Sequence, residues 1–399
     1  MLRSRADALT VGSRAQWLAP VVGLSLRQQQ GQVFDRMRSL GVTRLRLVSV
    51  TELTSASAST STSTSSPPLA SSTSTSTSTT TSPRARARFA YRLAGFDTSD
   101  RTFDIDLSLR PASKTNSHPK VVTWAAHDRP QPWDLLHLTM RRSAMSLVLA
   151  RGPEQAADLL ARADTAQARV AAVWGSSRPA VWMAPSTDSE AALLLGRDPA
   201  DPRGLRDVAA VTDGPLEAGR PAGADRIVIV PGAWSSLAGR GRDVVATHEL
   251  THVVVRGSTT GAVPLWLSEG FAEFVAYRTV GLPERDIVRP ALEAARRDGL
   301  PTDLPTEAQF VTGAGSVPAA YGRSLLVVRT LAERHGVTAL VRFYRKVAEP
   351  SDGPPPAVVP TGDGADEQKV VDTALTTVLQ SDRAALVSEW RNRIERLLS

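Results

Sequence analysis

The chain has 399 residues, 42% of them hydrophobic, enough apolar material for two or three domains with cores of their own. It contains no cysteine, which excludes a disulfide framework and leaves nitrogen and oxygen as the ligands for any metal. The net charge of +7 comes mostly from arginines scattered through Ala- and Val-rich sequence. There is no basic stripe interleaved with aromatics, so no nucleic-acid partner is expected; the charge reads mostly as solvated surface, with peripheral attraction to anionic membranes or cell-wall polymers as the alternative.

In chain order, the first residues carry two early arginines but no apolar core of signal-peptide length. No run approaches the roughly 18 apolar residues of a membrane span; the best, WLAPVVGLSL, is interrupted by Pro20 and stops at Arg27. Leu24 to Leu40 reads as an amphipathic helix with Val33, Phe34, Met37 and Leu40 on one side and Gly41 at the stop. Strands are expected at the Val- and Leu-rich Thr43–Leu53, at Arg84–Phe96, which begins as an Arg/Ala alternation, at the alternating Arg101–Arg110 and at Lys120–Ala126. Between the first two lies Thr54 to Pro83, almost all Ser, Thr, Ala and Pro, without the apolar side chains that offset ordering entropy, and it is expected to be a disordered loop. A glycosylated or wall-spanning tether is one use for it; a repeat-expanded hairpin loop is the other, and resumption of the sheet on its far side favours the loop. Residues 1–137 thus form a small antiparallel α+β domain, similar at the level of fold to NTF2-like or cystatin-like modules, a likeness that implies no activity. His118, His127 and His137 lack metal-ligand spacing and read as surface residues.

From residue 138 onward strands and helices alternate, the pattern of an α+β domain running to residue 399. SLVLAR is a strand, Glu154–Trp174 a helix, PAVWMAP a strand and Ser189–Gly196 a short helix; Val208–Thr212 and Arg226–Pro231 are two further strands. Beyond a pair of helices at 243–278 come a charged helix at Arg285–Gly299, an irregular loop at Leu300–Thr312, and a helix opened by Tyr321 and closed by Gly336. A Pro- and Gly-rich linker at 349–368 precedes two closing helices at 369–399, expected to pack back through Val387, Trp390, Ile394 and Leu397.

Chemistry concentrates in DVVATHELTHVVVRGSTTGAVPLWLSEGFAEFVAYR, from Asp243 to Arg278. His248 and His252 stand four residues apart in a helix-compatible run, so their side chains lie one turn apart on one face and can share a metal ion. Glu249, directly after the first histidine, is where a carboxylate reaches a metal-bound water as general base without being a ligand. The alternative is a pair of core histidines, but the VVAT and VVV flanks would make an unpaired Glu costly to desolvate. A metzincin-type third ligand is ruled out, since Val255 and Ser258 stand where that pattern has Gly and His. Glu269, on a second amphipathic helix with Leu265, Trp266, Phe271, Phe274 and Val275, supplies the third ligand and leaves one coordination position for water.

HELTH followed by WLSEGFAEF resembles the gluzincin metallopeptidases, the thermolysin and aminopeptidase N group, and in particular the bacterial peptidase MA-like domains. The resemblance spans about residues 140–399 and is specific mainly between Thr247 and Tyr277. It implies a Zn2+ cofactor held by His248, His252 and Glu269, with Glu249 as base and peptide or protein as substrate. It also implies a carboxylate at Glu273 orienting a ligand histidine, and a tyrosine at Tyr321 donating to the oxyanion, against the alternative of a packing tyrosine. In such enzymes the strand before the HExxH helix often forms the edge that pairs with an extended substrate, and ADRIVIVPG takes that place here; an ordinary core strand is the alternative. Two departures stand out. Sixteen residues separate His252 from Glu269, fewer than in the aminopeptidases, and the GAMEN exopeptidase signature is absent. Relatives commonly carry an amino-terminal export signal or anchor. The expected activity is hydrolysis of peptide bonds by a zinc-activated water; the rivals are an inactive zinc-stabilised binding scaffold and a metallohydrolase of non-peptide substrates.

Overall fold

The computed structural model describes residues 1–53, 82–112, 118–311, 317–350 and 365–399. The readings made for the Ser/Thr tract and for most of the linker at 349–368 fall outside them. Among the described residues no helix is long and apolar enough to cross a membrane. The chain divides into two units with mixed α+β content, described separately.

The first unit comprises Met1–Ala94 and Arg101–Leu136. Two helices that the periodicity did not reveal come first, α1 (Leu2–Thr10) and α2 (Arg14–Leu18), with the Ser13 side chain capping α2 by accepting from the Gln16 backbone N–H. α1 escaped notice because its buried side carries a charge. The Arg5 guanidinium sits between the rings of Trp17 and Trp124, 3.9 and 4.1 Å from their centroids, and donates to Gln30. Burial pushes its pKa down to about 9. The helix α3 (Leu24–Leu40) leads into β1 (Val42–Leu53), β2 (Arg84–Leu93), β3 (Arg101–Arg110) and β4 (Lys120–Ala126), an antiparallel meander in that order. The Arg/Ala alternation of β2 is the pleat made visible. Ala85, Ala87 and Phe89 are buried, while Arg86 and Arg88 on the other face pair with Asp106 and Asp104 directly across the ladder at 2.8 and 2.7 Å. His118 and His127 are exposed, and His127 lies 3.0 Å from Asp106.

The second unit comprises Gly95–Asp100 and His137–Ser399. Its elements are β5 (Thr139–Arg142), β6 (Ser146–Ala150), α4 (Gly152–Trp174), β7 (Ala180–Ala184), α5 (Asp188–Leu194), β8 (Ala210–Asp213), β9 (Arg226–Ile229) and α6 (Pro231–Ser236). They continue with α7 (Gly239–Arg256), α8 (Leu265–Tyr277), α9 (Glu284–Ile287), α10 (Arg289–Asp298), α11 (Val317–His335), α12 (Val337–Val347), α13 (Ala365–Leu379) and α14 (Arg383–Leu398). The strands lie in the order β5-β6-β7-β9-β8, with β6, β7 and β9 parallel and β5 and β8 antiparallel at the two edges. Of the two readings of ADRIVIVPG, substrate-pairing edge or core strand, the sheet order gives the core strand. β9 is flanked on both sides and all four of its residues are buried, as an interior parallel strand requires; β8 is the edge. Arg226 of β9 makes a two-pronged pair with Asp97 at 2.7 and 2.8 Å, and both side chains are 1% exposed, so the pair holds residues 95–100 to this sheet.

Three helix boundaries also differ from the sequence reading. The charged helix expected at 285–299 is two helices, with Pro290 in the first turn of α10. α11 begins four residues before Tyr321, which therefore sits one turn inside it. Gly336, at φ 83°, stops α11 and at once serves as N-cap of α12, an element that went unread although Leu340, Val341, Phe343, Tyr344 and Val347 give it a buried stripe.

α4, α7, α8 and α11 pack in succession, and the most extensive contact is between α8 and α11. A Cβ on Gly270 of α8 would stand 2.5 Å from the Ser324 carbonyl oxygen of α11, a backbone atom that cannot turn aside. Gly270→Ala should therefore push the helices apart and destabilise the fold by about 1–3 kcal/mol. Because Gly270 adjoins Glu269, the placement of that carboxylate should shift with it. A thermal melt of the variant that superimposes on the parent's would mean the contact is not tight.

Candidate metal centre

α7 is enclosed on most sides, and ten of its residues from Val244 to Val255 are buried. Its polar residues are accounted for locally: Thr247 Oγ1 donates to the Asp243 carbonyl and Thr251 Oγ1 to the Thr247 carbonyl, both at 2.7 Å. Two arginines of α4 hold it, Arg162 against Asp243 at 2.5 Å and Arg169 against Thr247 at 3.4 Å. On this fixed helix the four-residue spacing brings His248 Nε2 and His252 Nε2 to 3.0 Å, with ring planes at 76°.

α8 packs against α7, its Trp266, Phe271, Phe274 and Val275 lie in the buried core, and Glu269 meets the two histidines. Glu269 Oε2 is 3.2 Å from His248 Nε2 and 3.4 Å from His252 Nε2, and it is buried. Three candidate donor atoms thus form a triangle with sides of 3.0, 3.2 and 3.4 Å. Around a tetrahedral zinc with ligand distances of about 2.0–2.1 Å, neighbouring ligand atoms are about 3.3 Å apart. The donor set fits zinc without rearrangement, and among the described residues no other cluster of His, Asp and Glu comes together in this way.

Burial pulls the pKa of His248 down, yet the hydrogen bonds it donates to the carboxylates of Glu269 and Glu273 outweigh it and hold the imidazole well above its ordinary value. Burial would likewise raise Glu269, but the neighbouring charge of His252 and the hydrogen bonds to both histidines hold its carboxyl far below the usual range. Both shifts describe one thing, a pocket that stabilises positive charge between two imidazoles and a carboxylate.

Glu273, one turn after Glu269, is 3.0 Å from His248 Nδ1, at hydrogen-bond length although the approach is bent, and so touches the nitrogen that a ligand histidine leaves free. Glu249 is 8% exposed, and its Oε2 accepts from Thr212 Oγ1 at 2.7 Å. Thr212 lies on the edge strand β8, 37 residues earlier, and no motif or spacing in the sequence marks it. Tyr321 places its ring 6.1 Å from that of His248 and within hydrogen-bonding reach of Glu269, and Phe310 packs edge-on against it at 5.7 Å. Burial, joined by the charges of Glu269, Glu249 and Glu273, drives its phenol pKa far above the ordinary value, so it stays a donor. Arg323 follows two positions later on α11, which turns it away by about 200°; its charged neighbours are Asp298 and Arg297 at the end of α10, and it is not part of the site.

No protein-family model matches the chain, and no curated protein does. Among solved structures the chain is similar to a two-domain M1 zinc metallopeptidase crystallised as a point mutant with L-arginine bound, at a TM-score of 0.33 and 14% identity. The alignment covers 79% of this chain and spans 61% of that one, a likeness too slight to carry any inference about fold or activity.

Proposed function

We propose that the chain is a zinc-dependent metallopeptidase of gluzincin type, with residues 138–399 as the peptidase domain and residues 1–137 as an NTF2-like accessory domain. The observation behind this reading is the convergence of His248, His252 and Glu269 on one point, with Glu249 beside it held by Thr212. A bound zinc ion supplies there a water acidic enough to attack at neutral pH and a Lewis acid for the carbonyl. Glu249 takes the proton from the attacking water and returns it to the departing amine. Tyr321, kept protonated by its surroundings, donates to the oxygen on which negative charge develops. Glu273 fixes the ring of His248.

The test is elemental analysis of the purified protein together with digestion of a peptide library. One zinc per chain and cleavage that a chelator abolishes and zinc restores are expected. Stoichiometric zinc with no cleaved peptide would leave a zinc-stabilised scaffold in its place.

A further inference from the structure

The edge strand β8 does more than line the site. Thr212 Oγ1 stands 2.7 Å from Glu249 Oε2 and 3.1 Å from the Glu249 carbonyl oxygen, so one hydroxyl touches both the carboxylate and the backbone that carries it. No other described residue hydrogen-bonds the Glu249 carboxylate, so among the described residues Oε1 has no partner. Thr212 is itself well placed to hold still. Its β-branched side chain is stiff at χ1, and its strand is locked into antiparallel register with β9 from Ala210↔Ile229 to Asp213↔Arg226. Seven residues beyond Glu249 on α7, Arg256 reaches the same strand, with its Nη atoms 3.5 Å from the Thr212 carbonyl, 3.4 Å from the Gly214 carbonyl and 3.2 Å from Asp225. α7 is therefore fastened to β8 at two places, and one of them is the carboxylate of the general base.

The terminal torsion of a glutamate is soft and roughly two-fold, so either oxygen can face a given direction unless something chooses. We propose that Thr212 is a positioning residue for the base: its hydroxyl ties down Oε2 and presents Oε1 to the reacting water. The proton from water then goes to Oε1, the Glu249 carboxylate becomes a carboxyl group, and Thr212 keeps its own proton throughout. This inference rests on the peptidase reading.

Its test uses the full-length, zinc-loaded protein and a peptide found by the library digest, with Thr212→Val, Thr212→Ser and Glu249→Gln measured side by side. Valine keeps shape and strand preference but removes the hydroxyl. Loss of one hydrogen bond to a charged group should lower kcat roughly 10- to 100-fold, with KM within about two-fold of the parent. Zinc content should not change. Serine should restore most of kcat, which a purely structural role for the threonine would not produce. Crystals of the metal-free proteins give a readout that needs no activity: one Glu249 rotamer in the parent and in Thr212→Ser, and more than one in Thr212→Val. Parental kcat in Thr212→Val while Glu249→Gln is inactive overturns the role of Thr212 and leaves the peptidase intact; so does serine failing to restore what valine removes. Parental kcat in Glu249→Gln overturns the peptidase reading, and the inference falls with it.

Discussion

Glu249→Gln should keep its zinc and lose its hydrolysis. The carboxylate is not one of the three converging groups, so replacing it leaves the ligand triangle of His248, His252 and Glu269 untouched. Glutamine matches it in size and still offers an oxygen to Thr212, so the side chain should keep its place. What disappears is a group able to take a proton from water and hand it on, and positioned proton transfer is worth roughly 10²–10⁴-fold. The fall should appear in kcat more than in KM, because the base acts in the transition state. Glu249 is 8% exposed, and a neutral amide is easier to bury than a carboxylate, so the variant should melt no lower than the parent. Peptide cleavage at the parental rate, with zinc bound, would move the catalyst elsewhere.

The local parts of this site were legible in the sequence because they are set by helical periodicity. Two histidines four apart meet on any helix, and Glu269 and Glu273 share a face for the same reason. What could not be read is the part that depends on which segments become neighbours. The chain runs β7, β8, β9, but the sheet runs β7, β9, β8, and only that order turns β8 into the edge and sets Thr212 against Glu249. Strand periodicity says which residues share a face and nothing about which strand lies beside which.

The same distinction runs through the fold. α3 and the four strands of the meander follow from alternation and helical stripes. α1 does not, because its buried side includes Arg5, whose burial makes sense only once Trp17 and Trp124 are seen on either side of it. Gly270 likewise reads in the sequence as a tolerated helical glycine, and its necessity shows only when α11 brings the Ser324 carbonyl to where a Cβ would be. Propensity and pattern report on one element at a time, whereas cation–π stacking and close backbone approach belong to pairs of elements.

Removing a ligand should have the opposite profile to removing the base. In His252→Ala the triangle loses one corner, and the two groups left, His248 and Glu269, cannot hold zinc against a chelator. Binding to the folded state alone stabilises it by about 4 kcal/mol when free zinc is a thousand times its Kd, so the parent should melt markedly higher with zinc than after chelation. His252→Ala should melt alike in both conditions. His248→Ala and Glu269→Ala should behave the same way. Glu273→Ala is the informative contrast, since Glu273 contacts His248 through Nδ1 and contributes no corner to the triangle. It should keep zinc with affinity lowered about 10- to 100-fold, and so retain part of the zinc-dependent rise in melting temperature. Elemental analysis and paired melts decide the matter. Full zinc occupancy in His252→Ala would mean the ion sits elsewhere, and a Glu273→Ala protein as empty as the ligand variants would make Glu273 a ligand in its own right.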